Sequence, residues 1–355
     1  MKWDFAIGNP AYQDQTLGDN KGFAPPIYDK FIDAACEIAN KVEMIHPARF
    51  LFNAGSTPKA WNEKMLNDPH FKVLEYEEDA AKVFSNTDIK GGVAITYHDK
   101  GKNYGAIGIF TPFPELNSLL QKVNGKKNDC SIADISVSGY SYHFTAQVYK
   151  DHPEFLTAKT VIKGKEMPLI SKGHEYDLKS NIVEKLPEIF LDAVPNKGSE
   201  YVSIVGRADN KRVMKYVRKD YINNVSNMDS FKILFPQVSG VGAFGESLGP
   251  TMIAGPGTGH TETFFSIGKF ETEALADNLL KYLKSKFARC LRSVLKKTQH
   301  ITPGVFRYVP LQDFTEDSDI NWNTSIANID KQLYKKYGLS QEEIDFIETH
   351  VKEMA

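Results

Sequence analysis

The chain has little cysteine, no long apolar run and almost no net charge. Its three cysteines in 355 residues form no Cys-x-x-Cys pair, which argues against a disulfide framework and favours a reducing, cytoplasmic location. No apolar run approaches bilayer-spanning length, and the N-terminus lacks the basic-then-apolar pattern of a signal peptide. A formal net charge of −2 excludes a globally basic nucleic-acid binder, so binding to nucleic acid would need a local basic surface.

Residue patterns typical of metal centres and phosphate loops are also missing. No two histidines stand four residues apart and no Cys/His group has zinc spacing, so His46, His260 and His300 are interpreted as structural or surface residues and no metal is predicted. No Pro-Asp is followed by a convincing Glu-x-Lys, so a nuclease centre is not expected in this chain. The glycine-rich stretch at 239–260 lacks P-loop and dinucleotide spacing, which favours an irregular connection over a mobile loop that meets DNA.

Hydrophobic patterns predict an α/β domain over residues 1–122, because strand and helix signals alternate there. A polar, glycine-bearing linker at 122–128 would lead to a mixed domain at 129–313 and a helical tail at 314–355, whose helix Gln341–Lys352 is capped by Ser340. The predicted elements of the first domain are strands Phe5–Gly8, Val42–His46, Phe71–Tyr76 and Gly92–Tyr97, with Ile107–Phe110 as a candidate edge partner, and helices Tyr28–Asn40 and Thr57–Asn67.

An Asn-Pro-Ala-Tyr sequence, Asn9 to Tyr12, follows the first predicted strand, at the kind of strand end where α/β sheets place their sites. The exocyclic amine of a base is a poor nucleophile, because its lone pair is delocalised into the ring. The Asn9 side-chain carbonyl and the Pro10 backbone carbonyl are two acceptors able to grip the two protons of such an amine. Tyr12 offers an aromatic face to a base that has left the duplex stack. Asn-Pro is also an ordinary strand-to-turn signal.

Further segments in the same order strengthen this interpretation. They are residues 25–35, 42–51, 83–97, 281–289 and 329–340. Together with Asn9–Tyr12 they resemble the N6-adenine DNA methyltransferases of restriction–modification systems, the Eco57I-like group, whose motif is normally Asn-Pro-Pro-Tyr or Asn-Pro-Pro-Phe. The resemblance implies the C-terminal part of a Rossmann-like methyltransferase sheet, followed by a mixed α/β target-recognition domain.

The resemblance also implies a role for each residue of the motif. Asn9 and Pro10 would hold the N6 amine, Tyr12 would stack on the flipped base, and Asp4 would contact S-adenosylmethionine. Ala11 stands where the family has a second proline. The implied function is site-specific methylation of adenine N6 in double-stranded DNA. Cytosine N4, RNA and protein amines are the alternative acceptors.

The position of the motif predicts a partner chain. In the family a cofactor-binding half-domain normally precedes the motif, whereas eight residues precede Asn9 here. We therefore expect a partner subunit to supply the glycine-containing loop and the acid that bind the cofactor. Two alternatives stay open. The chain is either a fragment with an artificial start, or a non-catalytic relative that recognises DNA without methylating it.

Two basic segments are candidate DNA contacts. Residues 275–297 read as one helix with an apolar residue at every fourth position and cations around the rest, among them Lys281, Lys284, Arg289 and Arg292. Residues 201–221 interleave basic and aromatic residues and include Arg207 and Arg212. Both patterns suit phosphate contact or recognition of DNA, and both equally suit an ordinary solvated face.

Overall fold

The computed structural model describes residues 3–14, 24–85, 89, 91–124, 130–162, 165–195, 200–296 and 299–354. The chain divides into two compact units, Met1–Gln121 and Lys122–Ala355. Within the described residues, no helix is both long and apolar enough to cross a bilayer. Cys36, Cys130 and Cys290 are free, and the cytoplasmic location stays a prediction. Most of the linker predicted at 122–128 lies outside the described residues.

The first unit contains a mixed four-stranded sheet, which establishes a fold of mixed α/β class. Its strands are β1 (Trp3–Gly8), β2 (Ala39–Pro47), β3 (Phe71–Glu77) and β4 (Val93–Asp99), in the order β1-β2-β4-β3. β1 is parallel to β2, and β4 is antiparallel to both β2 and β3. β1, β2 and β3 therefore run in the same direction. The four predicted strands are confirmed, whereas the candidate strand Ile107–Phe110 is wrong, because those residues form no strand.

Helices of the first unit bury one apolar face each. α1 (Tyr28–Ile38) is the crossover between β1 and β2, and its buried residues Tyr28, Ile32 and Ala35 recur at helical spacing. α2 (Lys59–Asn67) buries Trp61 and Met65. Tyr28, Ile32, Trp61 and Met65 pack with residues of the sheet in one hydrophobic core, and Ala35 packs in a second, smaller cluster with residues of β2. α3 (Pro114–Asn124) ends the unit, and the division between the units falls within this helix.

Among the described residues, the second unit contains three small sheets. β11 (Met252–Ala254), β10 (Phe231–Pro236), β13 (Phe264–Phe270) and β5 (Ser136–Val137) form an antiparallel sheet in that order. β12 (Thr258–His260) lies parallel to β8 (Tyr201–Ala208), which pairs with β9 (Lys211–Arg218) in an antiparallel hairpin. The third sheet is the hairpin of β6 (Lys159–Ile162) and β7 (Lys165–Pro168). Two short helices, α4 (Ala146–Asp151) and α5 (Ile182–Lys185), precede the long hairpin.

The predicted single helix over residues 275–297 is two helices. α6 (Glu273–Lys284) ends at Ser285, which has extended backbone angles and whose hydroxyl caps α7 (Lys286–Ser293) by accepting the Ala288 N–H. The Asp330 carboxylate accepts the N–H groups of Lys286 and Phe287, so it binds the same free helix end. A serine inside an apolar pattern with helical spacing thus begins a new helix.

The predicted C-terminal tail is part of the second unit. α8 (Ile326–Lys336) contacts α6 and α7, and α9 (Gln341–His350) contacts α7. Trp322, Ile329 and Ile347 are buried, so residues 314–355 contribute to the interior of the second unit and do not form an appendage. Ser340 caps α9 in a capping box with Glu343, as the sequence predicts for Ser340.

Candidate active site

Asn9 and Pro10 lie immediately after β1, at the carboxyl end of that strand. Gly8, the last residue of β1, pairs in register with Met44 of β2. Because the two strands are parallel, the residues that follow Gly8 lie at the same edge of the sheet as the carboxyl end of β2. The Asn9 side chain is exposed and Pro10 is half-buried. Proline fixes its own φ angle, so the direction of the neighbouring carbonyl is set at little entropic cost. The two candidate acceptors are therefore adjacent in the chain, on an exposed and a half-buried residue.

Tyr12 is held by the segment that leads into α1. The Ile27 N–H donates to the Tyr12 carbonyl at 3.2 Å, and the Asp14 N–H donates to the Pro25 carbonyl at 2.9 Å. These two hydrogen bonds join residues 12–14 to residues 25–27. The Tyr12 hydroxyl is buried and has no hydrogen-bond partner among the described residues. Burial raises the pKa of this hydroxyl, so the ring is a neutral surface.

Phe84 is a candidate site residue that the motif alone does not reveal. Its ring lies edge-on to Tyr12, with 6.4 Å between the ring centroids and 64° between the planes. The two rings come from segments about 70 residues apart in the sequence, so no local spacing rule connects them. Two adjacent aromatic side chains at a strand end offer stacking surfaces for a flat heterocycle. The apolar pair Val83-Phe84, followed by a glycine-bearing turn, is the signal that pointed to this segment.

His46, at the end of β2, supports the site from inside the unit and is not exposed to a ligand. Its ring is fully buried, stacks on Tyr28 with 2° between the planes, and contacts Phe50. Nδ1 lies 3.1 Å from the Pro47 carbonyl and Nε2 lies 2.7 Å from the Thr96 hydroxyl. Because a carbonyl only accepts, Nδ1 carries the proton and Nε2 accepts from Thr96. Burial lowers the pKa of His46 to about 4, so the imidazole is neutral at pH 7.

The buried His46 makes the stability of the chain depend on pH. Its pKa is about 4 when folded against an ordinary 6.5, so between these values the unfolded chain binds the proton and the folded chain does not. We expect stability to fall as the pH drops from 6.5 towards 4, by about 3 kcal/mol at full effect. His46→Gln should reduce this loss. Urea denaturation followed by tryptophan fluorescence at pH 7 and pH 5 measures it.

The comparison between wild type and variant isolates the contribution of His46. His260, in the second unit, is equally buried and its pKa is lowered to about 4 as well. Both the wild type and His46→Gln therefore keep the part of the pH dependence that His260 causes. Identical pH profiles for wild type and His46→Gln would contradict the assignment of a neutral, buried imidazole at the end of β2.

Asp4 and the free edge of β1 are the remaining features of the first unit. Asp4 is exposed on β1. β1 pairs with β2 alone among the described strands, so its other side is an unpaired edge. Three alternate residues of this strand are exposed apolar side chains, Trp3, Phe5 and Ile7, at 59%, 53% and 73%. Large apolar residues on an unpaired edge are typical of a surface that another polypeptide covers.

The predicted DNA contacts separate into exposed and buried residues. Arg207 and Arg212 are exposed at the end of the β8–β9 hairpin. Lys281 is partly exposed and pairs with Asp277 at 3.0 Å, and Lys284 is also partly exposed. These four positions stay predictions. Arg289 and Arg292 are 1% exposed, and the expectation that they lie on the surface is wrong.

The two buried arginines have a structural role. Arg289 Nε donates to the Lys284 carbonyl at 2.9 Å and Nη1 donates to the Gly245 carbonyl at 3.3 Å, while Nη2 donates to the Lys352 carbonyl. Arg292 Nη2 donates to the Glu246 carbonyl at 3.1 Å. The guanidinium groups thus join α7 to two distant loops of the same unit. Sequence periodicity shows that a cation lies near an apolar face of a helix. It does not show that buried carbonyl groups accept hydrogen bonds from that cation.

Comparisons with known proteins show what this part of the chain is similar to. Residues 1–84 match the family model described as Eco57I restriction-modification methylase. The matched range contains Asn9–Tyr12 and ends at Phe84. The match covers less than half of the chain. The search of curated proteins finds no match.

Two solved structures resemble the chain at low sequence identity. The type IIL restriction-modification enzyme MmeI, solved in complex with DNA, matches with 12% identity and a TM-score of 0.32, over 98% of this chain and 56% of that one. The type IIG restriction endonuclease BpuSI matches with 9% identity and a TM-score of 0.32, over 93% of this chain and 49% of that one. The chain spans about half the length of these structures.

Proposed function

We propose that the chain is the catalytic and target-recognition part of a site-specific DNA methyltransferase that modifies adenine N6. The observation that carries this proposal is the Asn9-Pro10 pair at the end of β1, beside the rings of Tyr12 and Phe84. The family match over residues 1–84 supports a methylase of restriction–modification type. The choice of adenine over cytosine rests on the likeness of the motif to Asn-Pro-Pro-Tyr.

The chain's own residues account for the activation of the amine. The Asn9 side-chain carbonyl and the Pro10 backbone carbonyl accept one amine hydrogen each. This geometry turns the nitrogen lone pair out of conjugation with the ring and aims it away from the two carbonyls. Tyr12 and Phe84 hold the plane of the everted base, which compensates for the stacking lost from the duplex. Holding the amine in this way requires neither a metal nor an ionised base.

The sheet of the first unit supports the proposed Rossmann-like arrangement. Three strands run in the same direction, the fourth is antiparallel, and a crossover helix joins β1 to β2. In open sheets of this type, sites lie at the carboxyl ends of the parallel strands, where Asn9 and the loop after His46 are located. The exposed apolar edge of β1 gives this sheet a place to continue in another polypeptide segment or chain.

S-adenosylmethionine is the proposed methyl donor, and the residues of this chain fit it only in part. When bound, it supplies an electrophilic methyl group. Asp4 is the one carboxylate of β1 and is exposed on it, but it lines neither of the two clefts of the second unit. We therefore assign the remaining cofactor contacts to a partner that covers the free edge of β1.

A non-catalytic DNA-recognition subunit is the competing function, and Ala11 favours it. The family pattern has a second proline at this position, and alanine leaves the turn less constrained. Such a subunit would keep the DNA-reading surface of the second unit. It would not transfer methyl groups, either alone or together with any partner chain.

Methyl transfer from labelled cofactor to duplex DNA tests the proposal. The full chain is assayed alone and together with the product of the neighbouring upstream reading frame, and the modified nucleoside is identified. N6-methyladenine that depends on the partner is the expected product. If the product were N4-methylcytosine, the target base would be cytosine and not adenine. Specific DNA binding without methyl transfer in either assay would favour the non-catalytic recognition subunit.

Phe84→Ala is expected to weaken methyl transfer through loss of base stacking. Removing one stacking ring costs about 1–3 kcal/mol of binding per base, so kcat/KM should fall by roughly 10- to 100-fold. Phe84→Tyr keeps a ring and should retain most of the activity. Single-turnover methyl transfer measures the effect. If Phe84→Ala and wild type reacted at the same rate, Phe84 would have no part in holding the base.

A further inference from the structure

The tip of the β8–β9 hairpin carries two arginines with an unusual arrangement. Arg207 and Arg212 are opposite each other in the antiparallel register, so their side chains share one face of the hairpin. Both are exposed. The two-residue turn between the strands has positive φ angles at Asp209 and Asn210, 49° and 58°, as tight hairpins of this type require. Like charges directly opposite each other destabilise a hairpin, so this pair lowers the stability of the hairpin. The needs of folding alone give no reason for its presence.

Three cations in or directly after the same hairpin are neutralised, whereas Arg207 and Arg212 are not. Lys215 pairs with Asp192 at 2.5 Å, Lys219 pairs with Glu200 at 3.0 Å, and Arg218 pairs with two aspartates. Neither Arg207 nor Arg212 has a carboxylate within ion-pair distance in the described part of the chain. The two tip arginines are therefore available to an external acceptor.

Each guanidinium is oriented by one hydrogen bond. Arg207 Nη2 donates to the Asn210 carbonyl at 3.1 Å, and Arg212 Nη2 donates to the Pro250 carbonyl. The Arg212 guanidinium also lies over the Phe264 ring, 5.4 Å from its centroid. These contacts hold the planar group and leave further N–H donors for a bidentate acceptor.

The arginines line a cleft of about 790 Å³, and its other lining residues are better suited to bind the edges of bases than to bind phosphates. Asn181, Gln237 and the exposed Tyr140 line the same cleft. It also contains carboxylates, and Glu184 and Glu262 are partly engaged by the Asp209 N–H and by Lys179. Carboxylates repel phosphates, whereas a mixture of donors and acceptors matches the hydrogen-bonding edges of bases.

We infer that Arg207 and Arg212 read guanine in the DNA sequence that this protein recognises. A two-stranded ribbon fits the major groove, and a guanidinium bonds the O6 and N7 atoms of guanine in a bidentate manner. The inference rests on the proposed function, because it takes duplex DNA as the partner. It adds which residues of the second unit determine the target and which base they select.

Selection of binders from a randomised duplex library tests the inference on the full chain, with its partner added where binding needs it. The wild type should enrich a sequence that contains guanine. Arg207→Gln and Arg212→Gln should each weaken the preference for guanine at one position by about ten-fold or more and leave the other positions unchanged. Arg212→Lys should not restore it, because an ammonium lacks the planar fork.

Lys211→Gln is the matched control, since Lys211 is exposed on the same tip and does not line the cleft. It should lower affinity equally for all sequences. Unchanged base preferences in both arginine variants, with or without a uniform loss of affinity, would overturn the inference, and so would the absence of any sequence selected by wild type. The selection needs no methyl transfer, so a catalytically inactive chain that still selects guanine through these residues would contradict only the enzymatic proposal.

Discussion

Asn9→Ala is expected to lower the rate of methyl transfer by about 10²- to 10³-fold and to leave DNA binding intact. The substitution removes the side-chain acceptor for one amine hydrogen, an interaction that matters most as the nitrogen becomes nucleophilic. Loss of a single polar group that stabilises a transition state typically lowers kcat by about 10²- to 10³-fold. Asn9 is exposed, so the change should alter the free energy of unfolding by less than about 0.5 kcal/mol.

Gln13→Ala is the matched control for Asn9→Ala. Gln13 is exposed in the same loop and carries the same amide group, but it stands outside the Asn-Pro pair. Its replacement should leave the transfer rate within about two-fold of wild type, by the same argument for exposed polar side chains. Single-turnover transfer and an equilibrium DNA-binding assay are measured together. Wild-type transfer by Asn9→Ala would show that the amine is held elsewhere.

Arg289→Met is expected to have the largest effect on stability. The arginine is 1% exposed and donates to carbonyls of Lys284, Gly245 and Lys352, which methionine cannot serve. Burial also lowers the pKa of its guanidinium, which shows how far the group is removed from water. Leaving several buried acceptors unpaired should cost about 3 kcal/mol or more. Urea denaturation of the full chain measures the change.

Lys281→Met provides the contrast within the preceding helix. Its amino group is partly exposed, pairs with Asp277 one helical turn away and donates to the Trp322 carbonyl at 3.2 Å, and these contacts together should contribute about 1–2 kcal/mol at most. If Arg289→Met unfolded like wild type and instead lost affinity for DNA, the arginine would be a DNA contact after all. The structural role assigned to it would then be wrong.

Local signals in the sequence predict the elements of the first unit well. β1 is a mostly apolar segment followed by Asn-Pro, the apolar residues of β2 are followed by His-Pro, and α1 has a clear apolar face, so each can be placed from its own residues. The order β1-β2-β4-β3 depends on pairing between distant segments, and no local pattern encodes it. The motif at Asn9 can be recognised in the sequence for the same reason as the strands, because all of its residues are adjacent in the chain.

The second unit shows where sequence patterns fail. Arg289 and Lys281 look alike in a helical periodicity, but only the fold reveals that Arg289 faces carbonyls from two remote loops. Ser285 looks like a tolerated helix residue, yet its side chain caps a new helix. The contact between Tyr12 and Phe84 is likewise tertiary. Burial and long-range pairing decide these cases, and neither is a property of a short segment.

Photo-cross-linking of the target base tests the central claim most directly. Once the transfer assay has located the methylated position, a duplex with 5-iodouracil at that position is irradiated with the full chain and its partner, and the cross-linked peptide is sequenced. A cross-link to Tyr12 or Phe84 is the predicted result, because the everted base should lie between these rings and the carbonyls of Asn9 and Pro10. Cross-links confined to residues 122–355 would contradict the account.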